Sequence, residues 1–216
     1  MQKKLPPELI LEQMEIGPLQ NFLYFVGCQQ TKQIAVFDPA WDIPLLDRLI
    51  KEKNYKVTQV ILTHGHPDHV NGLDEFLSLY DVPVYISEKE HHLFMPKHKN
   101  IIRMTDEREY AIGNVTLKSF RAPGHSPGSL CFQHKNILVT GDVIFIDGCG
   151  RCDLPGGSPK DMYYSLTGKI MPLADDTLLF TGHNYGPTPV DTLGHQKQTN
   201  PYLQANSLED FLYQRM

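Results

Sequence analysis

Three imidazoles and a carboxylate fall within the run Thr63-His64-Gly65-His66-Pro67-Asp68-His69, directly after the apolar stretch Val57 to Leu62. These are the ligand types that borderline divalent metals take. A turn shaped by a glycine and a proline behind a buried strand can hold them rigidly. A lone His-x-His arises on many exposed turns, so the density points to a metal only if partners stand elsewhere in the chain.

Three partners share one context. His125 lies in Ala122-Pro123-Gly124-His125-Ser126-Pro127-Gly128-Ser129, Asp142 follows Ile137-Leu138-Val139 in Thr140-Gly141-Asp142, and His183 follows Leu178-Leu179-Phe180 in Thr181-Gly182-His183-Asn184-Tyr185-Gly186. Each sits just past a strand-like run, near a glycine that lets the backbone turn. Together they would serve two metals, with His64, His66 and His125 on one, Asp68, His69 and His183 on the other, and Asp142 bridging. His91, His92, His98, His134 and His195 have no such context and are expected to be surface or packing residues.

The elements that must position these ligands are short. Strand-like runs are Phe22 to Val26, Gln33 to Phe37, Val57 to Leu62, Val82 to Ile86, Val115 to Phe120, Ser129 to Gln133, Ile137 to Thr140 and Leu178 to Thr181, most of them bounded by Gly, Pro, Asn or Asp. Gly113-Asn114 is a turn signal. Helical patterns fit Ile43 to Lys53, Gly72 to Tyr80, Lys160 to Ile170 and Ser207 to Tyr213, with Asp42 and Ser158 as caps and Pro159 near a first turn. Helices interrupt both hairpin-like pairs and separated strands, which predicts mixed sheets covered by helices.

Composition bounds the rest. A chain of 216 residues with 41% hydrophobic residues and 21% charged ones suits one globular domain, taken as 1–216. A net charge of -5 without a dense Lys/Arg run argues against nucleic acid or an anionic membrane as the main partner. The start Met1-Gln2-Lys3-Lys4-Leu5-Pro6-Pro7 lacks an apolar signal core and no long apolar run follows, so a cytoplasmic location is expected. Cys28, Cys131, Cys149 and Cys152 form no disulfide framework. Cys149 and Cys152 match C-x-x-C, but Gly148, Gly150, Pro155, Gly156 and Gly157 mark a loop rather than the helix start a redox motif wants.

With these motifs in order, the chain resembles the metallo-β-lactamase-fold hydrolases, and within them the glyoxalase II (hydroxyacylglutathione hydrolase) group. His64 to His69 match the H-x-H-x-D-H motif, and the Pro-Gly-His, Thr-Gly-Asp and Gly-His elements follow in the family's order. The resemblance implies an α/β fold, an αββα sandwich of two mixed sheets with metals at one edge. Asp142 stands where true lactamases place a cysteine, which implies no antibiotic-hydrolysing role. Glycine-rich Gly141 to Arg151 resembles both the glyoxalase II and the persulfide dioxygenase branches, where the basic residue lies near a thiol-carrier substrate. By that resemblance Arg151 would hold a substrate carboxylate.

The implied chemistry is hydrolysis of a thioester or related acyl compound by hydroxide held between two divalent ions, zinc foremost, with iron and manganese accepted by the same ligands. Two such ions outweigh Asp68, Asp142 and one hydroxide, so the site favours developing negative charge. A thiolate leaving group, of pKa about 8.5, needs no strong general acid. Asp68 is expected to orient the hydroxide, and Tyr185 either to donate to an oxyanion or to pack at the pocket. The turn-rich tail from Gly186 to Tyr202 is expected at the substrate entrance.

Only 33 residues follow His183, fewer than the helical region that full-length glyoxalase II uses for glutathione. The expectation therefore extends to acyl-carrier thioesters, as in hydrolases of polyketide clusters. The alternative, carried by the likeness of Gly148 to Asp153 to persulfide dioxygenases, is a single iron on His64, His125 and Asp142, acting on a glutathione persulfide-like substrate. Oligomeric state is not legible.

Overall fold

In the computed structural model, which describes residues 5–105 and 107–215, the apolar runs divide by alternation between separate cores. The basic start at Met1 to Lys4 lies outside the described residues. In β2 (Asn21–Cys28), Phe22, Tyr24 and Val26 enter one apolar cluster while Leu23 and Phe25 enter another. β3 (Gln33–Phe37) splits Ala35 and Phe37 from Ile34 and Val36 in the same way. Across the molecule, β10 (Ile137–Gly141) and β13 (Leu178–Thr181) send Ile137, Val139, Leu178 and Phe180 to the shared cluster, and Leu138 and Leu179 to a third. A strand covered on both faces reads as an unbroken apolar run, and its period of two shows only in which core each side chain joins.

The shared cluster lies between two six-stranded sheets. The first runs β1 (Leu9–Ile16), β2, β3, β4 (Lys56–Ile61), β5 (Val84–Ser87) and β6 (Ile101–Met104); the second runs β14 (Val190–Thr192), β13, β10, β9 (Leu130–His134), β8 (Val115–Arg121) and β7 (Arg108–Ile112). Pairs β3–β4, β4–β5, β5–β6 and β10–β13 are parallel and the other pairs within these two sheets antiparallel. Phe37 and Phe132 meet edge to face across the gap, 5.1 Å between centroids.

Helices α1 (Ile43–Glu52) and α3 (Leu73–Leu79) cover the first sheet with Leu46, Ile50 and Phe76; α4 (Pro159–Ser165), α5 (Leu193–Thr199) and α6 (Leu208–Arg215) cover the second with Met162, Leu193 and Phe211. The layers are helix, sheet, sheet, helix, as expected. Both expected caps are present: Asp42 accepts from Leu45 N at 3.0 Å, and Ser158 from Asp161 N at 3.2 Å. Among the described residues no helix is long and apolar enough to cross a membrane.

Several elements escaped the sequence pattern for a common reason. β1, β6, β7 and β14 form the sheet edges, where partly or fully exposed polar side chains, such as Glu12, Gln13 and Glu15 of β1, break the apolar run. The hairpin of β11 (Ile144–Phe145) and β12 (Gly148–Cys149) is too short to show a period. Residues Leu193–Thr199, expected as turn-rich tail, form α5. The helix expected through Ile170 changes at Leu166–Ile170 into a π-helical turn, closed by Met171 N donating to Leu166 O at 2.8 Å, which leaves Leu166 and Ile170 both buried.

A candidate two-ion metal centre

The ligand-type residues gather at one edge because the parallel pairs β3–β4 and β10–β13 all end there. The loop after β4 carries His64 and His66 and enters the short helix α2 (Pro67–Val70), which presents Asp68 and His69. The loop between β8 and β9 carries His125, and the ends of β10 and β13 carry Asp142 and His183. Backbone bonds tie the sheets together at this edge, Leu130 N to Thr63 O at 2.9 Å and Phe22 N to Gly182 O at 2.8 Å, while Gly182 N to Gly141 O at 2.8 Å extends the β10–β13 pairing. Gly141 holds φ +49, and a Cβ at Gly182 would stand 2.0 Å from Asp142 Oδ1. Both turns therefore need glycine.

Six of the seven residues form two clusters. His64, His66 and His125 offer nitrogens that lie together, as do the ligand atoms of Asp68, His69 and His183. His125 Nε2 is 3.2 Å from His64 Nε2 and 2.7 Å from His66 Nδ1. His69 Nε2 is 3.2 Å from His183 Nε2. Asp142 stands between the clusters: Oδ2 is 3.4 Å from His125 Nε2 and 3.3 Å from His183 Nε2, and Oδ1 is 3.4 Å from His69 Nε2.

Outward hydrogen bonds fix which nitrogen faces inward. His125 Nδ1 donates to the Arg151 carbonyl at 2.7 Å, His183 Nδ1 to the Leu19 carbonyl at 2.8 Å, and His69 Nδ1 to Asp38 Oδ2 at 3.0 Å. Thr63 Oγ1 gives its proton to Asp38 at 2.6 Å and so accepts from His64 Nδ1 at 3.0 Å. Four Nε2 atoms are left to converge, the arrangement that orients imidazoles around a metal. The His66 ring meets Phe94 perpendicularly at 4.5 Å.

Charge divides the two clusters. Burial pushes His64 and His125 below the ordinary imidazole range and His66 down to about 4, so all three are neutral near pH 7. Burial also opposes charge on His69 and His183, but Asp142 outweighs it in both, helped by Asp38 and Asp68 respectively. His183 is pushed up to about 9 and His69 well above its usual value. Asp68 and Asp142 are held below the usual carboxylate range: burial works against their charge, and His69 and His183 overcome it.

Divalent ions fit this donor set. Asp142 Oδ1 is buried without a hydrogen-bond partner. The neutral rings of His64 and His125 point lone pairs at one another, which repels on its own and attracts around a cation. At the second cluster, protons on His69 and His183 balance the carboxylates, a task a metal takes over as it displaces them.

Three residues missed by the sequence reading complete the frame. Asp38, at φ +50 beyond β3, accepts from Thr63 N at 2.7 Å and orients both His64, through Thr63, and His69. Asn21 takes the Trp41 indole N–H on its oxygen at 2.9 Å, so its amide donates to Asp68 Oδ2 at 3.0 Å. Glu90 accepts from Gly65 N at 3.1 Å. Asp38 alone left a trace, an acid at a strand end; a single Asn or Glu in a turn carries no signal.

A cavity of about 730 Å³ opens over the clusters, lined by Leu19, Phe94, Phe145, Ile146, Tyr185 and Tyr202 among others. Tyr185 is half exposed and stacks on the His183 ring at 4.6 Å. Arg151 lies on this wall with its guanidinium held by Asp153 through two bonds of 2.7 and 2.6 Å. Of the tail expected at the entrance, Tyr202 reaches the cavity. Cys149 and Cys152 lie in strand and loop, outside any helix.

Comparison with known proteins follows the same lines. The family model described as the metallo-beta-lactamase superfamily matches residues 16–183. The probable polyketide biosynthesis zinc-dependent hydrolase PksB of Bacillus subtilis is 29% identical over 192 residues, 89% of this chain and 85% of that protein. The hydroxyacylglutathione hydrolase GloC of Haemophilus influenzae is 30% identical over 194 residues, 82% of this chain and 90% of that protein. The solved structure of ETHE1 from Myxococcus xanthus superposes with a TM-score of 0.85 at 25% identity, covering 94% of this chain and 88% of that one. Its human namesake, a persulfide dioxygenase, is 28% identical over 207 residues, 94% of this chain and 79% of that protein.

Proposed function

The chain belongs to the metallo-beta-lactamase superfamily, and from that premise we propose that it is a two-metal hydrolase cleaving a thioester or related acyl bond. The observation that carries this reading is Asp142, whose carboxylate faces His125 from one cluster and His69 and His183 from the other. Two divalent ions, zinc by the likeness to PksB, would be held by His64, His66 and His125 and by Asp68, His69 and His183, with Asp142 shared. When bound, such ions supply an acidified water and a Lewis acid for a carbonyl.

The remaining work falls to the chain. Asn21 fixes the Asp68 carboxylate, which is ionised near neutral pH and positioned to orient a nucleophile by accepting its proton. Burial, with Asp142 and Asp68, pushes the Tyr185 phenol above its usual value, so it stays protonated as a donor at the cavity wall. The apolar wall of Phe94, Phe145 and Ile146 excludes water from the acyl group. A departing thiolate needs no further acid. Likeness to GloC and PksB favours a hydroxyacylglutathione or a carrier-bound acyl thioester. Four free cysteines suit a reducing cytoplasm.

The rival reading has its own observation. His64, His125 and Asp142 stand within 3.4 Å contacts as a two-histidine, one-carboxylate set, which is what a single iron with open positions takes, and the chain is similar to ETHE1. Against it stands a second cluster with partners of its own at buried Asp38 and Asn21 and at the Leu19 carbonyl. The test is parallel assay of hydroxyacylglutathione and acyl-carrier thioester hydrolysis and of persulfide-dependent oxygen uptake, each before and after chelation. Chelator-sensitive thioester cleavage without oxygen uptake is the expected result; oxygen uptake alone overturns it.

A further inference from the structure

The loop after β5 touches both strand-end loops of the nitrogen-only cluster. Its Glu90 is 6% exposed, although it belongs to the charged turn Glu88-Lys89-Glu90. Glu90 Oε2 accepts from Gly65 N at 3.1 Å and from Ser126 Oγ at 2.8 Å, while Oε1 accepts from His91 N at 2.7 Å. Gly65 separates His64 from His66, and Ser126 follows His125. One carboxylate oxygen thus joins the two loops that carry all three imidazoles.

Packing shows the same junction independently of these bonds. A Cβ at Gly65 would stand 2.0 Å from Phe94 O, and one at Gly128 would stand 2.7 Å from Glu90 Cα. The Glu90 loop therefore lies in backbone contact with both ligand loops. It also delivers Phe94 onto the His66 ring. Ser126 is held for this role, since Ser129 Oγ, 3.0 Å from Ser126 Oγ, also accepts from Ser126 N at 3.1 Å. The second cluster takes its outward bonds from Asp38, Asn21 and Leu19, none of them on this loop.

We infer that Glu90 is a positioning residue for the His64–His66–His125 half of the centre: its buried carboxylate sets the approach of the two ligand loops and thereby how tightly that half holds a divalent ion. This rests on the metal-binding reading above, and Glu90 itself faces away from the reacting atoms. Removing it leaves Gly65 N–H, Ser126 O–H and His91 N–H without their acceptor and frees the loops to separate. Glutamine keeps one oxygen for Gly65 and Ser126 but turns an amide donor towards His91 N–H, so it restores only part of the junction.

The test is zinc titration against a competing chelator in a His183→Ala parent, which isolates the nitrogen-only half. Glu90→Ala is expected to weaken zinc binding about 10- to 100-fold, with Glu90→Gln and Ser126→Ala each losing less. A core truncation far from these loops, Leu117→Ala, is expected to lower thermal stability and leave zinc affinity unchanged, which separates positioning from general loosening. Should Glu90→Ala not fold, Ser126→Ala and Glu90→Gln decide. A parent that binds no zinc overturns the metal reading and this inference with it. A parent that binds zinc, with variants that bind equally well, overturns this inference alone.

Discussion

The two halves of the centre are built from similar residues and held in opposite electrostatic states. His64, His66 and His125 form an all-nitrogen pocket whose burial keeps the rings neutral, framed by Thr63, the Arg151 carbonyl and the Glu90 loop. Asp68, His69 and His183 form a mixed pocket in which carboxylates draw protons onto the imidazoles, framed by Asp38, Asn21 and Leu19. One half is preformed for a cation; the other must exchange protons for it. The structural cause is how many carboxylates face each set of rings, with Asp142 common to both.

The largest effect is expected where the halves meet. Asp142→Asn removes the shared charge and should lower kcat at least a hundredfold, on the order of the loss of a principal electrostatic stabiliser, with metal content falling below two ions per chain. Full metal content with near-normal turnover would show that Asp142 joins nothing. Next comes a change that bears directly on the mixed half and only through Thr63 on the other. Asp38→Asn weakens the acceptor behind His69 and should reduce affinity for the second ion about 10- to 100-fold, as loss of an outer carboxylate partner typically does. Equal weakening of both ions would dissolve the contrast, because Asp38 also reaches His64 through Thr63.

A subtler difference lies in pH. His183 has its pKa raised in the folded, metal-free protein from 6.5 to about 9, so its charge stabilises that form fully below about 6.5, and the contribution is lost as pH rises through about 9. Metal binding at the mixed half at pH 7 must therefore release protons. Binding at the nitrogen-only half, whose three rings burial holds below the ordinary imidazole value, should release fewer protons at pH 7. Calorimetry in buffers of different ionisation enthalpy counts these protons, and equal release from both steps would contradict the division.

The same contrast explains what could be read in advance. The seven ligand-type residues stood out because they follow strand-like runs near a glycine or proline; β10 and β13 are buried along their whole length, whereas β8, ahead of His125, alternates buried and exposed residues. The frame around the nitrogen-only half was opaque: Glu90 is one of two glutamates in a polar turn, and only the fold shows that it turns inward. On the other side, Asp38 carried a faint trace beyond the Phe37 strand end, whereas Asn21 reaches Asp68 across 47 residues of sequence and is itself held by Trp41 across 20. Edge strands such as β1 hid for a related reason, since partly exposed polar residues interrupt the apolar pattern. Arg151 illustrates a further limit: its basic character was evident, but its pairing with Asp153 depends on local geometry.

The decisive measurement is metal content of protein purified anaerobically, with thioester hydrolysis and persulfide-dependent oxygen uptake read on the same sample. Two divalent ions per chain with chelator-sensitive thioester cleavage is the expected outcome. One iron per chain with oxygen consumption and no thioesterase activity would contradict a two-metal hydrolase, leaving Asp68, His69 and His183 as a second half that binds no metal.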